Sequence, residues 1–196
     1  AIYDDFSIDI LLPVKEDLKS FPIWFLDTNL PVKTLESLTD WQSGNGFIAA
    51  DAVSVAKSSR LLTVIDRLDL LFCNCDEASH LTGHVIQREA DIISTGNTLI
   101  EKGAGAVMVS SGADGAYLFK PDGYQHFKAK TVDVVDVTGA GDSLIAGTLH
   151  GISRGQDINR ALQLGLATAA FTLKKHGATT EDLRDLAMDA IGSREQ

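Results

Sequence analysis

The feature that most constrains this chain is an alternation of short apolar runs, each ending in a polar residue, with longer stretches of helical spacing. The runs are Pro22-Ile23-Trp24-Phe25-Leu26-Asp27, Gly46-Phe47-Ile48-Ala49-Ala50-Asp51, Asp69-Leu70-Leu71-Phe72-Cys73-Asn74 and Ala106-Val107-Met108-Val109-Ser110. Near-continuous apolarity is what a strand covered on both faces of a parallel sheet needs. The stretches 31–40, 54–66, 76–82 and 87–103 read as the helices between them. Parallel neighbours cannot be joined by a tight turn, so crossover helices go with such strands. The pattern predicts an open, mostly parallel α/β sheet with helices on both faces. Ligands in such sheets bind beyond the carboxyl ends of the strands, so the polar residues there are the ones to inspect.

Further along the pattern changes. Gly115 to Phe119, a turn at Pro121-Asp122-Gly123, and Tyr124 to Phe127 predict a hairpin. A short run, Thr131 to Val135, follows. Helical spacing then covers 140–153, 157–175 and 180–191, the second of these apolar nearly all round, as suits a helix buried against a sheet. The 196 residues suffice for one sizeable domain, taken as 1–196.

Charge and cysteine content exclude several classes. The net charge is −10, with no block of lysine or arginine, and that field opposes a nucleic-acid polymer. No run approaches the ~18–20 apolar residues of a membrane-spanning helix, and neither end carries a secretory pattern. The cytoplasm is the expected location. Cys73 and Cys75 sit two apart and would point to opposite faces of a strand, so they neither pair nor form a zinc site.

The sharpest motif is Asp136-Val137-Thr138-Gly139-Ala140-Gly141-Asp142. Glycine costs ~1 kcal/mol against alanine inside a helix, so this pair suits a turn whose N–H groups converge at a helix start. Those groups and the helix dipole form an anion site. Asp142 in the first helical turn would then be placed to accept a proton from a hydroxyl attacking a phosphate. The plainer alternative is an aspartate capping a glycine-rich helix start.

Four further motifs are weaker alone. Asn74-Cys75-Asp76-Glu77 ends the third run and opens a helix; its plain reading is a capping box between Asn74 and Glu77. Ser110-Ser111-Gly112-Ala113-Asp114-Gly115 is at least a strand-to-strand loop. Lys174-Lys175-His176-Gly177-Ala178-Thr179 reads as a helix C-terminus with Gly177 at C′. Asp51-Ala52-Val53-Ser54-Val55-Ala56-Lys57 reads as a cap followed by a solvated lysine.

In this order and spacing the motifs resemble the PfkB carbohydrate kinases. The resemblance implies a three-layer α/β/α ribokinase-like fold and an ATP-dependent phosphotransferase acting on a hydroxyl of a small sugar or nucleoside. Asp142 is then the catalytic base and Gly139, Ala140 and Gly141 the anion hole. Asn74, Ser110, Ser111, Gly112, Asp114, Gly115, Gly177 and Ala178 would line the nucleotide. Glu77 would hold Mg²⁺ through water, consistent with that ion's preference for keeping waters. Asp136 would help hold a monovalent cation such as K⁺.

The segment 51–57 is similar to the Asp-Pro-Val-Ser-x-x-Lys of the pseudouridine kinase branch, with Ala52 in place of the proline. Ala1-Ile2-Tyr3-Asp4 and Asn29-Leu30-Pro31 are similar to that branch too. The resemblance covers the C-terminal two thirds of such a kinase. The sugar-binding Gly and Asp residues, the Gly-Gly-x-x-x-Asn segment and the β-strand lid have no counterpart here. A raw sheet edge is therefore expected, and any homodimer built on lids belongs to the longer protein. Two alternatives stand beside pseudouridine: another ribokinase-like sugar or nucleoside kinase, and a non-catalytic nucleotide-binding module.

Overall fold

A computed structural model describes Tyr3 and residues 6–44, 46–174 and 176–177. The expected helix over 180–191 and the positions Ala1, Ile2, Asp4, Lys175, Ala178 and Thr179 lie outside the described residues.

Six strands form one sheet in sequential order: β1 (Ile23–Asp27), β2 (Phe47–Asp51), β3 (Leu70–Asn74), β4 (Val107–Ser110), β5 (Ala116–Lys120) and β6 (Gly123–Phe127). β1 to β4 pair in parallel, with Asp27 opposite Asp51 and Asn74 opposite Ser110. All four runs thus become strands within one residue of the predicted start. The links into β5 and β6 are too short for a crossover, so these strands fold back as the expected hairpin.

A short helix α1 (Lys15–Lys19) precedes β1, and α2 (Val32–Gln42) crosses from β1 to β2. The predicted helix over 54–66 breaks up. Only α3 (Val55–Ser58) is α-helical, and 3₁₀ turns over Ser59–Thr63 and Ile65–Arg67 follow. Local hydroxyl bonds accompany the tighter turns: Ser58 Oγ bonds Val55 O at 3.0 Å and Thr63 Oγ1 bonds Arg60 O at 3.1 Å. α4 (Cys75–Thr82) and α5 (Glu89–Glu101) complete the crossover to β4. α2, α4, α5 and the 3₁₀ turns bury Leu35, Leu61, Leu81 and Leu99 against Trp24, Ile48, Leu71 and Val107.

The chain divides into two compact units. One comprises Ala1–Ser111 with Tyr117–His126, the other Gly112–Ala116 with Phe127–Gln196. In the second, α6 (Ala140–Ser153) and α7 (Ile158–Thr172) lie along each other. Small residues permit the approach: a Cβ on Gly147 would stand 2.8 Å from Gly165 Cα, and one on Gly151 2.7 Å from Ala161 Cα. The Ser143 and Thr172 hydroxyls, 2.7 Å apart, join the pair. α7 stops short of the predicted residue 175, and Leu173 O instead accepts the N–H groups of Val135 and Asp136 at 2.7 and 3.3 Å. Thr131 to Val135 forms no strand.

The expectation of strands covered on both faces fails at β1. It is an edge strand, and Phe25 stands 45% exposed, edge-on to Phe72 at 6.4 Å. Unpaired edges with apolar side chains template association. Phe25→Lys should slow the growth of light scattering in concentrated solution while costing no more than about 1.5 kcal/mol of stability, the scale of a lost aromatic pair. Unchanged aggregation with an intact fold would exonerate this edge.

Candidate active site

The residues singled out in the sequence fall at the carboxyl ends of β3 and β4, in the loop leading to β5, and at the start of α6. In the first unit, Asn74 ends β3 and caps α4. Its Oδ1 accepts the N–H of Glu77 at 2.9 Å, and Glu77 Oε2 accepts the N–H of Asn74 at 2.9 Å. The capping box is formed, and Glu77 is only 5% exposed. A buried carboxylate needs such bonds, since desolvating an unpaired charge is costly. The box uses one carboxylate oxygen and leaves Oε1. A single half-committed carboxylate fits a water-mediated contact to Mg²⁺ better than an all-protein cage. No group of three or more His, Cys, Asp or Glu side chains that could hold a metal occurs among the described residues.

Ser110 lies beside Asn74 in register, and Cys75 Sγ donates to Ser110 O at 3.5 Å. The structure therefore brings Asn74, Glu77 and Ser110 together. Cys73 and Cys75 are free thiols, and burial pushes the Cys73 thiol pKa well up.

In the second unit, Gly112–Asp114 forms a 3₁₀ turn ending at Gly115, whose φ is +97°. A Cβ there would lie 2.5 Å from Ala129 N and 2.8 Å from Lys128 C, so both conformation and space demand glycine. Gly139 occupies the N-cap of α6 with φ +77°, and the helix starts at Ala140. The aspartate-cap alternative is not what forms: Asp142 sits in the first turn, exposed, and its carboxylate makes no hydrogen bond or ion pair among the described residues. First-turn N–H groups have no intrahelical partner. That of Ala140 reaches Val137 O at 3.3 Å, and those of Gly141 and Asp142 follow it around the turn.

Asp136 braces the loop before this turn. Its Oδ1 accepts the N–H of Thr138 at 2.9 Å and its Oδ2 that of Gly177 at 3.0 Å. The fourth motif is thereby tied to the first across 41 residues. Gly177 is not the C′ residue of α7, which ends at Thr172. The bonds from Thr138 and then Gly177 lower the Asp136 carboxyl pKa to about 2.

Sequence reasoning missed a polar knot at the ends of β1 and β2. Lys57 Nζ donates to Asn29 Oδ1 at 2.6 Å, and Asn29 donates its backbone N–H and Nδ2 to Asp27 at 2.7 and 3.1 Å. Both segments stand out in the sequence, but nothing in their separate patterns says that they meet.

A family model described as pfkB family carbohydrate kinase matches residues 16–185. A 1-phosphofructokinase of Haloferax volcanii is 34% identical over 113 residues, covering 58% of this chain and 37% of that protein. A carbohydrate kinase from Agrobacterium tumefaciens superposes with a TM-score of 0.80 at 31% identity, covering 97% of this chain and 61% of the other. A ribokinase of Arabidopsis thaliana, solved with ribose and ATP, gives a TM-score of 0.81 at 22% identity over 95% and 60% of the two chains, a likeness of fold. The chain thus spans less than two thirds of each of these proteins. No helix among the described residues is long and apolar enough to cross a membrane.

The lowered Asp136 pKa has a defined consequence. A carboxyl depressed on folding adds stability that is present above its unfolded pKa of ~3.9 and is lost as pH falls through its folded value. Denaturation of the wild type should therefore become easier between about pH 4 and pH 2. Asp136→Asn should flatten that part of the profile, and carboxyl NMR should titrate Asp136 near 2. An ordinary carboxylate midpoint would show that the two N–H bonds are not made in solution.

Proposed function

The chain belongs to the pfkB family of carbohydrate kinases, and on that premise we propose that it carries the phosphoryl-transfer portion of an ATP-dependent kinase. The observation that carries the reading is the start of α6. There an exposed Asp142, whose carboxylate makes no hydrogen bond among the described residues, stands in the same helical turn as N–H groups without intrahelical partners. A carboxylate beside an anion site opposes anion binding unless it has work to do. Accepting the proton of an attacking hydroxyl is that work.

The acceptor hydroxyl attacks the terminal phosphorus of ATP, and Asp142 takes its proton as the new O–P bond forms. Gly139, Ala140 and Gly141 supply the anion hole at the start of α6. Because the Ala140 N–H already reaches Val137 O, the other amides of this turn are freer to meet the charge building on the phosphoryl oxygens. In a loose transition state, positioning and this electrostatic stabilisation outweigh the base. Asn74, Ser110, Ser111, Gly112, Asp114, Gly115, Gly177 and Ala178 keep the nucleotide-binding role that the resemblance assigns them. Bound Mg²⁺ would neutralise phosphate charge, with Glu77 reaching it through water. Asp136, ionised above about pH 2, is suited to a monovalent cation such as K⁺.

The proposed acceptor class is a sugar or nucleoside hydroxyl. Pseudouridine is supported by the likeness of 51–57 to one branch of the family, while the named relatives add fructose 1-phosphate and ribose to the screen. Phosphorylation assays with these three, uridine, adenosine and fructose 6-phosphate identify the acceptor. Nucleotide binding with no acceptor turned over would favour the non-catalytic module.

Asp142→Asn should lower kcat by ~10²–10⁴-fold and leave the ATP dissociation constant within a few-fold. Turnover within about tenfold of wild type would remove Asp142 from the base role. Glu77→Gln should raise the Mg²⁺ concentration for half-maximal rate yet barely change the thermal midpoint, because glutamine completes a capping box. A sharp fall in melting temperature with an unmoved magnesium curve would leave Glu77 a cap alone.

A further inference from the structure

The knot at the carboxyl ends of β1 and β2 is more than the fold needs. Thr28, fully buried, donates its hydroxyl to Ala52 O at 2.6 Å and already fastens the two strand ends. Arg60 Nη1 reaches the carbonyls of Thr28, Asn29 and Leu30 at 3.1–3.2 Å and already fastens the loop after β1. Lys57 adds a third tie of a different kind. Among the described residues the ammonium of the half-buried Lys57 meets only the neutral amide oxygen of Asn29 and makes no ion pair. An ammonium has three donors, so two remain.

The amide is oriented for this contact. Asn29 Nδ2 is spent on Asp27 Oδ2, which turns Oδ1 toward Lys57. Asp27 in turn gives both carboxylate oxygens to Asn29, so its charge faces its own turn and not the lysine.

The backbone that delivers Lys57 is strained. Val53 has φ +59°, rare for a β-branched residue, and the N–H of Ser54 closes on Ala52 O at 2.6 Å in a three-residue turn. Val53 is 40% exposed, so side-chain burial does not explain the conformation. The turn reverses the chain directly after β2 and starts α3, on which Lys57 returns over the end of β1. α3 also packs against α4, the helix that Asn74 and Glu77 open. Strain of this kind concentrates at ligand clamps.

We infer that Lys57 is a phosphate-binding residue, presented by Asn29 at the carboxyl ends of β1 and β2 and contacting a phosphate oxygen of the bound substrates. This deepens the kinase reading and rests on it. The phosphate has two sources, the terminal group of the nucleotide or a phosphate ester on the acceptor.

The test is calorimetric titration of wild type, Lys57→Met and Lys57→Arg with ATP, ADP, fructose 1-phosphate and ribose. Charge-assisted hydrogen bonds put the expected loss in Lys57→Met at roughly tenfold to a hundredfold for one phosphate ligand, with Lys57→Arg within about threefold of wild type. A loss for ATP but not ADP assigns the terminal phosphate. A loss for fructose 1-phosphate with ATP unchanged assigns the acceptor phosphate. Should Lys57→Met not fold, Lys57→Gln, which keeps a polar end for Asn29, is read in the same way. Phosphate affinities within about twofold of wild type in Lys57→Met, or an equal loss for neutral ribose, overturn the inference and leave the kinase reading standing. A wild type that binds no phosphate ligand overturns both.

Discussion

Parallel pairing of β1 to β4 is the constraint on which the first unit depends. Two strands running the same way cannot be joined directly, so each must be followed by a crossover that returns the chain to the starting end. All four carboxyl ends therefore face one side: Asp27 pairs with Asp51, and Asn74 pairs with Ser110 two residues further out, because Asp51 lies opposite Phe72. The polar residue that terminates each apolar run is thus both where the strand stops and where chemistry becomes possible. Among the described residues β1 pairs with β2 alone, so its other edge is open.

The second unit rests on a different device. α6 can begin where it does because Gly139 adopts a left-handed conformation and because Asp136 clamps the loop between two N–H donors. The Thr138 donor is local. The Gly177 donor ties the loop to the segment beyond α7, whose Leu173 carbonyl receives Val135 and Asp136. The segment just beyond α7 thereby takes part in positioning the loop that leads into the turn carrying Asp142. Glycines where α6 and α7 touch make their close approach sterically open.

Glu77 shows how a structural bond can leave a carboxylate oxygen over for the metal contact proposed above. Its carboxylate closes the capping box and so satisfies a backbone N–H at the start of α4. The oxygen left over is held in one place by the same bond. A cap and an outer-sphere metal contact are compatible roles, because they use different atoms.

The sequence by itself determined the strands, the hairpin and the start of α6, because these follow from local patterns: apolar runs, a turn at Pro121-Asp122-Gly123, and glycine where a left-handed residue was required. It also marked the capping pair Asn74 and Glu77 at the start of α4 and, separately, the place of Asp142 in the first turn of α6, because each follows from spacing within one helical turn. Tertiary structure alone decided the rest. The stretch 54–66 splits into a short α-helix and two 3₁₀ turns, a division that helical spacing does not register. α7 ends at Thr172, and the carbonyl of Leu173 just beyond it goes to residues nearly forty positions earlier in the chain. Asp136 meets Gly177, and Lys57 meets Asn29, through bonds between segments that carry no mutual signature. A hydrogen bond between distant segments depends on where the backbone places two atoms within about 3 Å. Periodicity records which face a residue presents, not which residue it will meet.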